Sequence, residues 1–172
     1  HHVYKNRRPM TMPLVGKMAS LSEDWFIEKN TNDIDPNLSP GKILSSQKSL
    51  KAEIETDEEL SRKYTISGKI DLLIEFEDGT YGIFDCKNTS GDSDKSWMYH
   101  TQLAAYKYCF EKMGLGDVSQ IGLIYQIIDG FYKSDDGTSN FTTEQKFVEV
   151  SPKMEQFEKL LSSVIQCLES ET

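Results

Sequence analysis

Residues 68–87 read GKIDLLIEFEDGTYGIFDCK, and how these twenty residues pair decides the fold. Ile70, Leu72, Ile74 and Phe76 alternate with Lys69, Asp71 and Glu75, the period of two that predicts a half-buried strand. Past Glu77-Asp78-Gly79, the even positions Gly82, Phe84 and Cys86 are apolar while Asp85 and Lys87 fall on the odd face, which predicts a second strand over Tyr81–Asn88. A three-residue loop with Gly79 in the left-handed region pairs Phe76 with Thr80, Asp71 with Asp85, and Lys69 with Lys87, all four charged side chains on one face. A two-residue Asp78-Gly79 turn would slip the register by one and send the apolar residues of the two strands to different sides. The hydrophobic pattern favours the first register.

Two carboxylates directly opposed on neighbouring strands repel each other unless a cation lies between them. Oxygen-only ligands suit a hard ion such as Mg²⁺ or Mn²⁺. Lys87, two residues from Asp85 on the same face, is placed to reach an ion-bound water or a phosphate oxygen. Glu53 on the preceding strand has the matching parity for a further ligand or supporting group, with Glu55 the less favoured choice. On pattern alone, a solvated sheet face with chance charge pairing accounts equally well for these positions.

Working outward, Leu50, Ala52 and Ile54 alternate with Lys51, Glu53 and Glu55 and predict a strand from Ser49. Upstream, Met18–Lys29 reads as a short amphipathic helix carrying Leu21, Trp25 and Phe26, and 30–46, with Asp-Pro and Ser-Pro-Gly, as a turn-rich connection. Downstream, Ser96–Met113 reads as a helix with Leu103, Tyr106, Phe110 and Met113 in a stripe and Gly114 as its stop. Ser119–Ile128 reads as a buried strand, Gly130–Thr143 as a polar loop or hairpin tip, Lys146–Val150 as a strand, and Pro152–Leu168 as a closing helix. The order α-β-β-β-α-β-β-α predicts an α/β fold with a mixed sheet and helices on both sides. Residues 1–46 form a basic arm and helix belonging to the same domain as the core at 47–172.

Gly68-Lys-Ile-Asp71, thirteen intervening residues, Asp85-Cys-Lys87, then Gln102-Leu-Ala-Ala-Tyr106 resembles the PD-(D/E)XK nuclease superfamily in its RecB-like branch, whose pattern is G-x-x-D, (D/E)-x-K, Q-x-x-x-Y. The resemblance covers residues 49–113 closely and implies a restriction-endonuclease-like αβββαβ core. It implies that Asp71 and Asp85 are metal ligands, that the Cys86 main-chain carbonyl completes the coordination, and that Lys87 is the catalytic lysine. Gln102 and Tyr106, one helical turn apart, are implied to contact substrate or support the lysine. The implied activity is Mg²⁺- or Mn²⁺-dependent hydrolysis of DNA phosphodiester bonds, on single strands or duplex ends, in repair, recombination or mobile-element DNA processing. The cysteine quartet of the iron–sulfur members is absent, so no iron–sulfur cluster is expected, and no upstream His matches. A competing reading of a different class is a non-catalytic nucleic-acid or protein-binding module that keeps the fold.

The composition bounds these readings. The 172 residues carry a net charge of −9, with 37 % hydrophobic and 27 % charged residues, which suits one solvated globular domain and argues against general coating of duplex DNA. Lys5, Arg7, Arg8 and Lys17 give residues 1–17 a local charge of +4, leaving −13 on the remainder. This arm, extended because of Pro9 and Pro13, reads first as an irregular or solvated lead-in and second as a candidate phosphate contact through Lys5, Arg7 and Arg8. No apolar run approaches the roughly 18 residues of a membrane span. The N-terminus does not read as a signal peptide, and His1-His2 are given no functional weight. Cys86, Cys109 and Cys167 suit a reducing compartment better than a disulfide framework or a metal cage, and a cytoplasmic or nucleoid-associated location is expected. His100 reads as a surface or packing residue.

Overall fold

The computed structural model describes residues 13–54, 63–91 and 95–170. Lys5, Arg7, Arg8 and Glu55 lie outside them. The elements follow the expected order: α1 (Pro13–Phe26), β1 (Gly41–Ile54), β2 (Tyr64–Phe76), β3 (Tyr81–Thr89), α2 (His100–Lys112), β4 (Val118–Lys133), β5 (Ser139–Glu149) and α3 (Met154–Ser170), with 3₁₀ turns at Thr31–Asp33 and Ser96–Tyr99. The strands form one sheet in the order β1-β2-β3-β4-β5. Only β3 and β4 run parallel, and α2 is the crossover that a parallel pair requires.

The sheet separates two cores. Leu50, Ala52, Ile70, Leu73, Ile83 and Leu123 pack with Leu103 and Phe110 of α2. Ile43, Leu72, Ile74, Phe84, Cys86 and Ile124 pack with Phe26 of α1. The middle strands are therefore buried on both faces, which is why Leu72, Leu73 and Ile74 are consecutive apolar residues. Alternation also fails in a second way. Ile70 packs on the α2 side and Leu72 on the α1 side, although strict alternation puts both on one face. The switch falls at Asp71, across from Gln47, which has φ +55 and is skipped in the ladder between Ser46↔Leu72 and Lys48↔Ile70.

Several expected boundaries are corrected. Pro13 and Lys17 belong to α1 rather than to an extended arm. On α1, Phe26 is buried, but Leu21 and Trp25 are exposed. β1 begins at Gly41, inside the stretch expected to be a connection, with a bulge between Ile43 and Ser45 that hides its period. Of the two readings of Gly130–Thr143, the hairpin tip holds and the loop does not. β4 and β5 pair out to Lys133↔Ser139, six residues or roughly 20 Å past Ile127, the last partner of β3. Phe131 and Phe141 face each other there with ring centroids 5.3 Å apart.

The β2–β3 turn forms as expected. Phe76 N–H donates to Thr80 C=O at 2.9 Å and Gly79 N–H to Phe76 C=O at 3.0 Å, with Gly79 at φ +85. Nothing lies within 4 Å of where a Gly79 Cβ would sit, so a side chain there is opposed by backbone conformation alone. Gly79→Ala is expected to cost about 1–2 kcal/mol, read as a lower urea midpoint at unchanged slope.

Candidate active site

The site begins where two strands stop pairing. The β2–β3 ladder runs from Glu75↔Tyr81 to Leu72↔Phe84, and its register continued would set Asp71 opposite Asp85 and Lys69 opposite Lys87. Phe76 bonds to Thr80, so hydrogen-bonded pairs fall at even positions and the Cys86 N–H would next turn to Ile70. Instead it donates to Asp71 Oδ2 at 2.9 Å. The Asp71 carboxylate takes the place of a main-chain acceptor and is held against the end of β3.

Asp85 lies on the α2 side of β3 and is 2 % exposed. Its Oδ2 forms an ion pair with the Lys87 ammonium, and its Oδ1 accepts from Gln102 Nε2 at 3.3 Å. Burial pushes the Asp85 carboxyl up to about 6; Lys87 opposes the shift and Asp71 adds to it. Burial disfavours the Lys87 ammonium, but Asp85, then Asp71, outweigh that and hold it above the ordinary lysine range. Lys87 Nζ also lies 5.0 Å from the centre of the Tyr99 ring, a cation–π contact that limits where the amine can point.

Gln102 Nε2 donates to Tyr106 Oη at 2.7 Å as well, so one amide ties the helix to the strand carboxylate. The Tyr106 ring lies against Gly68, where a Cβ would come within 2.7 Å of Cε1. The three sequence motifs are thus in contact: Gly68 makes room for Tyr106, Tyr106 engages Gln102, and Gln102 engages Asp85.

The α1 side supplies a carboxylate that sequence reasoning missed. Glu23 is 4 % exposed, and its Oε2 accepts from Gln47 Nε2 at 2.6 Å, while Gln47 Oε1 accepts from Lys69. Burial raises the Glu23 carboxyl, the Gln47 hydrogen bond lowers it, and Asp71 raises it again, so Glu23 and Asp71 are electrostatic neighbours. The available signal was spacing. Glu23 and Phe26, three residues apart, are the buried positions of α1 and half-buried Ala19 continues their stripe one turn back, whereas the more conspicuous Leu21 and Trp25 face outward.

The structure therefore brings Asp71, Asp85, Lys87, Gln102 and Tyr106 together and adds Glu23. Two expectations are corrected. Lys69 does not join Lys87, because the parity switch at Asp71 turns it toward Gln47 and Glu23. Glu53 does not reach the site: it is exposed, pairs with Thr65, and lies six residues, roughly 20 Å, along β1 from Gln47. Cys86 is a small core residue as expected, 6 % exposed. His100 Nδ1 contacts Ser151 C=O at 2.8 Å, a packing role.

Among the described residues, no three His, Cys, Asp or Glu side chains converge as a metal cage. What the fork offers is two neighbouring carboxylates, one of them buried beyond the reach of solvent. That donor set fits an ion such as Mg²⁺, which binds through one or two carboxylates and keeps several waters. It does not fit zinc, whose sites gather three or four close protein ligands, most of them nitrogen or sulfur.

A family model of the PD-(D/E)XK nuclease superfamily matches residues 35–171. Eleven chains of solved structures match. One of them, the crystal structure of SSO0001, aligns with a TM-score of 0.54 at 15 % identity over 90 % of this chain, a likeness of fold. The chain spans 60 % of that structure's length. No curated protein matches.

The contact between Gly68 and Tyr106 is open to a direct measurement. Gly68→Ala is expected to destabilise the protein by about 1–3 kcal/mol through overpacking. In a double-mutant cycle with Tyr106→Ala, most of that cost should disappear.

Proposed function

The chain belongs to the PD-(D/E)XK nuclease superfamily, and from that premise we propose that it is a Mg²⁺- or Mn²⁺-dependent deoxyribonuclease whose site is the β2–β3 fork. The observation that carries this reading is the convergence of Asp71, buried Asp85 and Lys87 where the ladder opens. Asp71 and Asp85 would hold the ion, with the Cys86 main-chain carbonyl as a further donor and Glu23 behind Asp71. When bound, such an ion supplies Lewis-acid stabilisation of phosphoryl oxygens and a more acidic water.

The chain's own residues have separable tasks. Lys87 places an ammonium beside Asp85, where it can donate to a non-bridging phosphate oxygen and counter the charge that builds up during displacement. Tyr99 and Asp85 hold that ammonium from two sides. Gln102 fixes the Asp85 carboxylate through Oδ1, leaving Oδ2 for Lys87. Tyr106 keeps the Gln102 amide in register, and burial of Asp85 excludes the bulk water that would weaken each of these interactions.

The substrate in this reading is DNA, presented as a single strand or a duplex end, in repair, recombination or mobile-element DNA processing in the cytoplasm or nucleoid. Lys5, Arg7 and Arg8, outside the described residues, are proposed phosphate contacts. Among the described residues no helix is long and apolar enough to cross a membrane. A second reading, a non-catalytic binding module, draws on the lack of a third converging ligand among the described residues.

With Mn²⁺ and single-stranded, duplex and flapped DNA, the wild-type protein is expected to cleave at least one substrate, and chelation should abolish cleavage. Asp71→Ala and Lys87→Ala should each reduce the rate by at least about 100-fold; equal behaviour of all three proteins on every substrate would overturn the nuclease reading. By calorimetry, Mn²⁺ binding should vanish in the Asp71→Asn, Asp85→Asn double variant. Metal binding without cleavage would favour the binding module.

A further inference from the structure

The β4–β5 ribbon leaves the sheet at the end where the fork opens. β3 runs parallel to β4 as far as Thr89↔Ile127, and past that row β4 pairs with β5 alone, out to Lys133↔Ser139. The pairing fixes which side chains share a face. Asp85 lies opposite Leu123 and Lys87 opposite Tyr125; Leu123 in turn lies opposite Val148, and Tyr125 opposite Lys146. Leu123, Tyr125 and Val148 pack on the α2 side, whereas Phe147 packs on the α1 side. Lys146 therefore stands in one row with Lys87 on the same face, two strands away, or roughly 10 Å between backbones.

This face continues along the ribbon. The bulge at Asp129 is absorbed by β4 while β5 skips no residue, so Glu144, Thr142 and Asn140 follow Lys146 on the face of Lys87, together with Gly130 and Tyr132, the partners of Thr142 and Asn140. Phe131 and Phe141 occupy the other face. On the face that continues from the site, Lys146 is an exposed cation beside the fork and Tyr132 a ring exposed by 53 % near the tip. Phosphates and open base faces are what a single strand presents, while a duplex covers its base faces by stacking. Resting on the nuclease reading above, we infer that this face of the ribbon is a track for a single DNA strand leaving the site. Lys146 binds a phosphate further along the strand from the one at Lys87, and Tyr132 stacks on an unpaired base. Two acids share the face and limit its affinity: Asp129, whose carboxylate accepts from Thr142 Oγ1 at 2.6 Å, and exposed Glu144.

The test uses Asp71→Asn protein, in which cleavage is stopped, with Mn²⁺ and the anisotropy of a labelled oligothymidylate at a series of salt concentrations. Lys146→Ala should make the slope of log K against log salt shallower by about 0.7, the signature of one lost phosphate contact on a single strand, and Lys146→Arg should restore it. Glu144→Gln should tighten binding. Tyr132→Ala should weaken binding about tenfold at unchanged slope, the scale of one base–aromatic stack, and Tyr132→Phe should restore it. A strand of equal length made of abasic units should bind Tyr132→Ala and its parent alike. Phe131→Ala and Phe141→Ala, on the far face, should leave binding as it is. An unchanged slope in Lys146→Ala, a loss in the far-face variants equal to that in Tyr132→Ala, or no binding of the strand at all would overturn the track. Failure of the nuclease reading has a different signature, since wild-type protein with Mn²⁺ would then leave every DNA intact whatever these variants do to binding.

Discussion

The hydrogen bond from the Cys86 N–H to the Asp71 carboxylate is the point on which the rest of the site turns. A buried main-chain donor must be satisfied, and at the end of a ladder the usual partner is a carbonyl on the neighbouring strand. Here a side chain takes that place, which lets β2 and β3 diverge after Leu72 and Phe84 without stranding a polar group. The divergence allows two carboxylates to face a common space, and Lys87, two residues on, to enter it. Continued pairing would have closed the gap with backbone. The fork exists because Asp71 substitutes for backbone, and the same substitution holds Asp71 in place.

Around that fork the two helices contribute differently. α2 acts through a relay of neutral groups, Tyr106 to Gln102 to Asp85, whose geometry depends on the missing side chain at Gly68. α1 acts through a charge, Glu23, restrained by an amide that Lys69 also engages. One side holds its carboxylate by a fixed dipole and the other by a shared amide. The sheet between them carries the buried residues Leu72, Leu73, Ile74, Ile83 and Phe84, which give both sides a rigid floor.

Much of this was legible in the sequence because it lies in short-range pattern. The register of β2 and β3 follows from the alternation of Ile74 and Phe76 with Glu75 and from the chemistry of Gly79, and α2 ends at Gly114 as its stop signal indicates. Alternation alone left a solvated face equally open for Asp71, Asp85 and Lys87, and it was the resemblance of the three motifs, in their order, to the superfamily pattern that grouped them with Gln102 and Tyr106. What was not legible depended on irregular backbone. The parity switch at Asp71 reverses the side on which Lys69 lies, and no periodic rule announces it. The bulge near Leu44 disguised the first half of β1 as a connection, and so removed Gln47 from consideration. Glu23 was hidden for another reason: an acid on an amphipathic helix is ordinarily solvated, and its burial is visible only once Phe26 is known to point inward. The outer half of the β4–β5 ribbon mixes the strand formers Phe131, Tyr132, Phe141, Thr142 and Thr143 with Asp129, Gly130, Ser139 and Asn140, and the second group, with the Asp-Asp-Gly turn between the strands, interrupts the apolar period that would mark a strand.

Gln47 places two demands on a single position. Its backbone sits at φ +55, a region that glycine enters freely and asparagine or aspartate tolerate. Its side chain must accept from Lys69 and donate to Glu23, which requires an amide at the end of two methylenes. Glycine would relax the backbone and lose both hydrogen bonds, while asparagine would relax it in part and fall a carbon short of Glu23. Few of the twenty amino acids meet both demands even approximately, so drift at this position is confined to a very small neighbourhood of sequence space, and substitutions of Gln47 should be tolerated mainly alongside compensating changes at residues 23 or 69.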